Sequence, residues 1–393
     1  MSRSRPPEVK SRKAGLSTIA IHGNGAPRAI GDPVSPPVYQ TSTFIAATGP
    51  QDDVLYTRYG NNPNQISVAE RLARLEGAEA AIFVASGMGA TALAHLAILQ
   101  PGDHLLSSEW IYGGTRRLFV EEFKRLGIET SFVNPDKRRE WRSKLRKNTR
   151  AIFVESPTNP VMRVLDVAWL AVLAKAEGIP LLVDSTFASP VNFRPIEYGA
   201  DVVIHSATKY LNGHSDVIAG AVAGGEVYIL EVRNKMRVWG QSIDPHTAWL
   251  IERGLKTLAV RVGRHNETGL RVAAWLEHQP KVRRVHYPGL ESHADHAFAA
   301  KVLDGFGGMV GLELASGGKG ADRFLRALRL IAHAPSLGGA ESLVSEPRYT
   351  SHASMTADER AAAGIPDGFL RLSLGLEDAD DIIADLARGL AAA

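Results

Sequence analysis

The chain has no cysteine among its 393 residues. Disulfides and thiolate metal ligands are thereby excluded, and a cytoplasmic protein is expected. No apolar run comes near the ~18 residues that a membrane span requires. The first fifteen residues, MSRSRPPEVKSRKAG, carry basic side chains but no apolar stretch, so they do not form a secretory signal. Two readings stay open there. One is an Arg-rich transit peptide; the other, favoured by Pro6, Pro7 and the scarcity of apolar residues, is a disordered tail over residues 1–15. Charge of one sign is also scarce. The 45 Lys and Arg against 42 Asp and Glu leave a net charge of +3, too small an excess for a nucleic-acid footprint.

What is present is 45% hydrophobic and 22% charged, the composition of a soluble globular protein long enough for two domains. Residues 16–64 are rich in Gly, Pro, Asn and Thr, and they predict an extended arm ordered by a neighbouring subunit. Val68, Leu72 and Leu75 among charges predict an amphipathic helix up to Glu76. Strands are then expected over 80–85, 104–107, 128–133, 151–155, 180–184, 201–204 and 217–222, with helices over 88–99, 115–126, 138–146 and 166–176. That alternation predicts an α/β fold, a mostly parallel sheet flanked by helices. A long helix from Pro245 should lead into a smaller α+β domain. The expected units are therefore the arm at 16–64, an α/β domain at 65–262 and a C-terminal domain at 263–393.

Asp201 to Gly213, DVVIHSATKYLNG, is the most informative stretch. A short β-branched strand ends in Ser206, Thr208 and Lys209. The hydroxyls can hold phosphate oxygens, and the lysine can form a Schiff base with an aldehyde. Pyridoxal phosphate carries both groups. Upstream, the apolar run 179–183 ends in Asp184, either a helix N-cap or the anion that a pyridinium nitrogen needs. A third strand ends in Ser86-Gly87-Met88-Gly89, a turn of small residues whose amides, opening a helix, favour an anion. Gly87-x-Gly89-x-x-Ala92 with Glu109 also fits a dinucleotide fingerprint. Residues 107–114 predict a loop, however, not the strand end that a ribose-binding acid requires, so the phosphate cup is preferred over an NAD-dependent oxidoreductase.

Other candidates are weaker alone. Tyr112, the aromatic of a Gly-rich loop, can lie face-on to a pyridine ring. Asn159, before Pro160, is either a turn residue or a hydrogen-bond partner of cofactor or substrate. Tyr56 and Arg58, two apart in an extended segment, can close on one phosphate. Arg371 in the alternating strand FLRLS offers a planar fork for a carboxylate. The basic run 137–147 is expected to be a solvated helix face with Trp141 and Leu145 inward, not a nucleic-acid surface. His286, His293 and His296 lack a carboxylate cage, so no metal site is expected.

Taken together, Ser86-Gly87-Met88, Tyr112-Gly113-Gly114-Thr115, Glu155-Ser156-Pro157-Thr158-Asn159-Pro160, Asp184 and the run from Ser206 to Val217 resemble the trans-sulfuration family. This is the Cys/Met-metabolism group of fold-type I pyridoxal phosphate enzymes, which includes the cystathionine γ-synthases, γ-lyases and β-lyases and the methionine γ-lyases. The resemblance runs from about Leu16 to the C-terminus. It implies pyridoxal 5′-phosphate as cofactor, with Lys209 as the Schiff-base lysine and proton carrier and Tyr112 over the ring. It implies cofactor contacts from Ser86, Gly87, Met88, Asp184, Ser206 and Thr208, and from Tyr56 and Arg58 of an adjacent subunit. It further implies Arg371 as the anchor of the substrate α-carboxylate, with Asn159 and Ser336 beside it. The expected assembly is a homotetramer, a dimer of dimers, acting on cystathionine, activated homoserine or a related amino acid, without nucleic acid or membrane. Cystathionine γ-lyase or γ-synthase chemistry is expected ahead of β-lyase or methionine γ-lyase. Three departures bear on this. Asn61-Asn62 adds a residue after the Tyr-x-Arg pair. Pro335 stands where several γ-acting relatives have Glu. Gly114 stands where methionine γ-lyases commonly have Cys.

Overall fold

The computed structural model describes residues 14–23, 29–49, 54–350, 353, 356–362 and 364–393. The tail expected over 1–15 therefore falls almost entirely outside the described residues. Seven strands form the larger sheet: β1 (Ala80–Val84), β2 (His104–Ser108), β3 (Glu129–Val133), β4 (Thr149–Glu155), β5 (Leu181–Asp184), β6 (Val202–His205) and β7 (Gly220–Gly224). Their order is β1-β7-β6-β5-β4-β2-β3. Only β7 runs antiparallel to its neighbours, so the sheet is mostly parallel, as expected.

The central strands β4, β5 and β6 are largely apolar because both of their faces are covered. Along β4, Ala151 and Phe153 turn into one apolar layer with Leu105, Leu182 and Ile204. Ile152 and Val154 turn into the opposite layer with Leu106, Leu181, Val183 and Trp141. The two-residue side-chain period of a strand sorts them. Each such fully buried side chain contributes about 1.5–3 kcal/mol relative to exposure. This packing fixes the strand ends, and the motifs leave from those ends.

Five further strands make a second sheet: β8 (Val282–His286), β9 (Met309–Leu314), β10 (Ala332–His333), β11 (Leu343–Ser345) and β12 (Phe369–Ser373), in the order β10-β11-β12-β9-β8. The single long helix expected from Pro245 is two helices, Pro245–Leu255 and Leu258–Glu277. The interruption carries Thr257, whose hydroxyl donates to the Gly254 carbonyl at 3.2 Å. The expected boundary at 262/263 lies inside the second of these helices.

Other differences are local. The helix expected over 115–126 is an α-turn, Gly113–Arg117, followed by a π-helical stretch, Leu118–Phe123. Such wide turns recur near functional sites. The basic run folds as Arg138–Ser143 with Trp141 1% exposed. Its charges meet acids, Arg138 with Asp166 and Lys144 with Glu140, so it is a solvated, ion-paired face. Asn61 and Asn62, the site of the extra residue, are buried. Asn62 caps the helix Pro63–Glu76 and donates to the Tyr39 carbonyl, and the Asn61 side chain accepts the Tyr56 N–H. The insertion therefore ties the arm to the helix start.

Candidate active site

The carboxyl ends of β1, β4, β5 and β6 and the loop after β2 border one cavity of about 880 Å³. Among its lining residues are Gly87, Met88, Tyr112, Asn159, Asp184, Ser206, Thr208, Lys209, Ser336 and Arg371. Ten of the residues expected from sequence are thus brought together. Open α/β sheets bind ligands at this edge because the helix N-termini and the loops meet there.

Lys209 follows β6. Its Nζ donates to the Ser336 hydroxyl at 2.9 Å. Burial, with the Arg371 charge adding to it, lowers its pKa to about 8. A neutral amine is thereby accessible near physiological pH, which a Schiff-base lysine requires. Ser336 itself has φ +105, a backbone region that costs a non-glycine residue about 1–3 kcal/mol. In this conformation its hydroxyl accepts from Lys209 and its carbonyl accepts from Arg371 Nη2, at 3.3 Å.

Arg371 comes from β12 of the second sheet. It is buried, with Nη1 on the Asn159 side-chain oxygen at 3.0 Å and Nε without a partner. Burial lowers its pKa to about 10, so it stays cationic. A buried guanidinium with an orphaned donor beside a cavity suits an anion.

Asp184 keeps some surface on the cavity, yet protein atoms surround its carboxyl, and that desolvation pushes its pKa up. The Thr186 hydrogen bonds, and to a smaller extent the neighbouring His205, pull it back down. His205 is buried against Glu76, Nε2 to Oε1 2.6 Å. Hydrogen bonds from Thr186 favour the charged form of Asp184, the form a pyridinium partner needs.

The fit of a phosphate is tested by the start of the helix Gly87–Leu96. A Cβ on Gly87 would lie 2.7 Å from the Ser206 Cβ, so only glycine allows these two elements to approach this closely. Ser86 caps the helix, its hydroxyl accepting the Gly89 N–H at 3.0 Å. The amides of Gly87 and Met88 stand in the first turn, where a helix offers its donors no internal partner. Ser86 is thus placed as a cap next to the cavity, not in its lining. The Thr208 hydroxyl borders the cavity but also bridges the Ala219 main chain, at 3.0 and 3.1 Å. Amide donors, hydroxyls, an amine and an acid together fit pyridoxal phosphate.

Tyr56 and Arg58 do not join this cavity. Tyr56 precedes a tight turn, Thr57–Tyr59, so the pair is not in the extended geometry that puts alternate residues on one side. Arg58 is exposed, donates to the Arg237 carbonyl at 2.6 Å, and lies over the Tyr56 and Tyr59 rings at 5.6 and 5.0 Å. His293 and His296 contact separate main-chain carbonyls, Val161 and Pro288. Among the described residues no three His, Cys, Asp or Glu gather as a metal site, and no helix is long and apolar enough to cross a membrane.

Comparison with known proteins settles the family. The pattern described as Cys/Met metabolism PLP-dependent enzyme matches residues 17–391. The chain belongs to that family. It is 40% identical to an L-methionine gamma-lyase of Porphyromonas gingivalis, over 96% of this chain and 97% of that protein. It is 41% identical to an O-succinylhomoserine sulfhydrylase of Pseudomonas aeruginosa, over 90% and 88%. A crystal structure of cystathionine gamma-lyase from Lactobacillus plantarum complexed with L-serine superposes with a TM-score of 0.92 at 34% identity, covering 96% of this chain and 99% of that one. The fold is accordingly that of fold-type I pyridoxal phosphate enzymes, and the chain is a pyridoxal phosphate-dependent enzyme of sulfur amino-acid metabolism.

Sequence reasoning missed Thr186, which receives the Ser206 N–H at 2.9 Å, and the Glu76–His205 pair. His205 directly precedes Ser206, but nothing in the sequence links it to Glu76. It also gave no role to Glu155, although that residue opens one of the motifs.

Proposed function

We propose that this enzyme carries out elimination and replacement at Cγ of sulfur amino acids, of the cystathionine γ-lyase or γ-synthase type. The observation that carries the reading is the placement of Lys209 and Arg371 on one residue, Ser336. An amine that moves protons is thereby held at a set distance from a carboxylate anchor. Pyridoxal phosphate, when bound, supplies the aldehyde and the electron-withdrawing ring. Arg371 takes the substrate α-carboxylate, and Asn159 keeps its fork in place. Lys209 removes the proton from Cα. For chemistry at Cγ it would first give that proton up to the C4′ carbon of the cofactor and, neutral again, remove one from Cβ, a movement for which its flexible four-carbon stem is suited. Tyr112, half-exposed at the cavity mouth, shields the ring face and serves as acid or base for the departing γ-group. Asp184 would be the acid that faces the ring nitrogen.

Gly114 weighs against the methionine γ-lyase alternative. A Cβ there would lie 2.5 Å from the Tyr112 ring, so the ring as placed leaves no room for the Cys common at this position in those enzymes. The arm supports an assembly. Ile30 and Ile45 are wholly exposed, and Val34, Val54 and Leu55 substantially so. We take a second copy of the chain to cover them within a homotetramer, with Tyr56 and Arg58 reaching the neighbour's phosphate site. We place the enzyme in the cytoplasm.

The test is incubation with L-cystathionine and, separately, with acyl-homoserine plus L-cysteine, followed by mass identification of products. Cysteine with 2-oxobutanoate and ammonia, or new cystathionine, is expected. Homocysteine with pyruvate and ammonia would replace this reading by β-elimination. Methanethiol from methionine as the dominant activity would replace it by methionine γ-lyase chemistry.

A further inference from the structure

Glu155 is the last residue of β4, and its register partner on β5 is Asp184. Two acids thus stand side by side at the sheet edge that lines the cavity. Glu155 is 4% exposed, and its hydrogen bonds come from main-chain N–H groups on two different loops. Oε2 accepts the Tyr112 N–H at 2.7 Å, and Oε1 accepts the Asn159 N–H at 2.9 Å. Asn159 in turn receives Arg371 at 3.0 Å. One carboxyl therefore ties the ring-covering tyrosine, the carboxylate anchor and the acid beside the ring nitrogen into a single frame.

We propose that Glu155 is a positioning residue, which sets the places of Tyr112 and of the Asn159–Arg371 pair relative to Asp184. Substrate and cofactor are held by the residues it positions, not by Glu155 itself. The geometry also says in which form it acts. Two neighbouring carboxylates cannot both ionise freely in a buried site. Burial and the Asp184 charge push the Glu155 carboxyl well above its ordinary range, and the two main-chain bonds and Arg371 only partly oppose this. Asp184 has the Thr186 hydrogen bonds, and to a smaller extent the neighbouring His205, opposing its own upward shift. Glu155 is thus driven toward its protonated form, and a protonated carboxyl still accepts both N–H groups through its remaining lone pairs.

The inference rests on the pyridoxal phosphate reading of the cavity, so the experiment checks that first. Each variant is loaded with pyridoxal phosphate, and borohydride trapping on Lys209 is confirmed by peptide mapping. A failure there in the wild-type protein would strike the cofactor reading and not Glu155. Glu155→Gln keeps the shape and one acceptor but turns an amide NH2 toward the other main-chain N–H. Glu155→Asp is one methylene too short to serve both loops. In both loaded variants KM for the amino-acid substrate should rise roughly tenfold or more, since small misplacements near reacting groups have large effects. The visible circular dichroism of the bound cofactor should change, because the Tyr112 ring has shifted, while far-ultraviolet dichroism stays as in wild type. Loaded variants with wild-type KM and visible dichroism would overturn the proposal. So would a fall in melting temperature alone, which a merely structural role predicts. If Glu155→Gln does not fold, Glu155→Asp and Asn159→Ala are combined in a double-mutant cycle on KM. Coupling of about fivefold supports the proposal, and multiplicative effects overturn it.

Discussion

Lys209, Asp184 and Arg371 line a cavity whose walls come from a single chain, whereas Tyr56 and Arg58 sit on an arm whose Ile30 and Ile45 face outward. The first group is held by buried partners. Lys209 is on Ser336, Arg371 is on Asn159 and Ser336, and Asp184 is held by Thr186. The arm is anchored at its base, where Asn64 bonds the main chain of Tyr39 and Pro37, at 2.8 Å each. Beyond that base it presents phenol, guanidinium and apolar side chains outward. A wall fixed by its own core can set pKa values and distances before any ligand arrives. An arm without a core of its own can do so only against another surface.

Four measurements would break or sharpen this contrast. The largest effect is expected from Lys209→Ala, which removes both the covalent link and the proton carrier. Turnover should fall by about 10²–10⁴-fold or more, the visible cofactor band should disappear, and borohydride should trap nothing at position 209. A variant that keeps the band would place the Schiff base elsewhere. Next is Arg371→Ala. Losing a charge-assisted contact whose partner is left buried costs about 2–5 kcal/mol, so KM should rise well over tenfold with the visible band retained. Arg371→Lys should rescue only in part, because an ammonium lacks the planar fork. A normal KM in the alanine variant would remove Arg371 as the carboxylate anchor.

The third concerns pH. Lys209 is lowered to about 8. Its neutral amine is the reactive form, so capture of pyridoxal phosphate by the apoenzyme should accelerate as pH rises through about 8. Recombination should be about tenfold faster at pH 9 than at pH 7, followed by the growth of visible absorbance. Because the Arg371 charge contributes to the lowering, Arg371→Ala should move the midpoint upward. A pH-independent rate would mean that the wall does not tune the lysine. The smallest effect tests the arm. Lys209→Ala and Arg58→Ala proteins, each impaired, are mixed under subunit exchange. A hybrid dimer then has one site with both defects and one with neither, so activity should recover to about a quarter of the wild-type sites. No recovery, with exchange confirmed by mass, would confine Arg58 to its own chain.

Much of the cofactor wall was legible because its parts are local. A β-branched strand followed by Ser206, Thr208 and Lys209, or an apolar strand ending in Asp184, needs only a short window. Gly87 was legible as a tight turn, although its close approach to Ser206 was not. Arg371 was legible as a fork on a strand, and only family resemblance pointed it at a carboxylate. Glu76 and His205 escaped because 129 positions separate them and neither breaks a local rule. The break at residues 256–257 escaped because helical periodicity runs on through it.

The sequence by itself determined the strands, the turns of small residues and the side-chain chemistry at each strand end, since these depend on side-chain period and on neighbours a few residues away. It also carried enough ordered motifs to mark the family. Only the tertiary structure decided which ends meet. β4 lies next to β5, so Glu155 stands beside Asp184. β12, more than 150 positions from Lys209 in the chain, brings Arg371 to the strained Ser336 that also holds Lys209. Those contacts depend on strand order and on the packing of two sheets, quantities that sum over the whole chain and leave no trace in any single stretch.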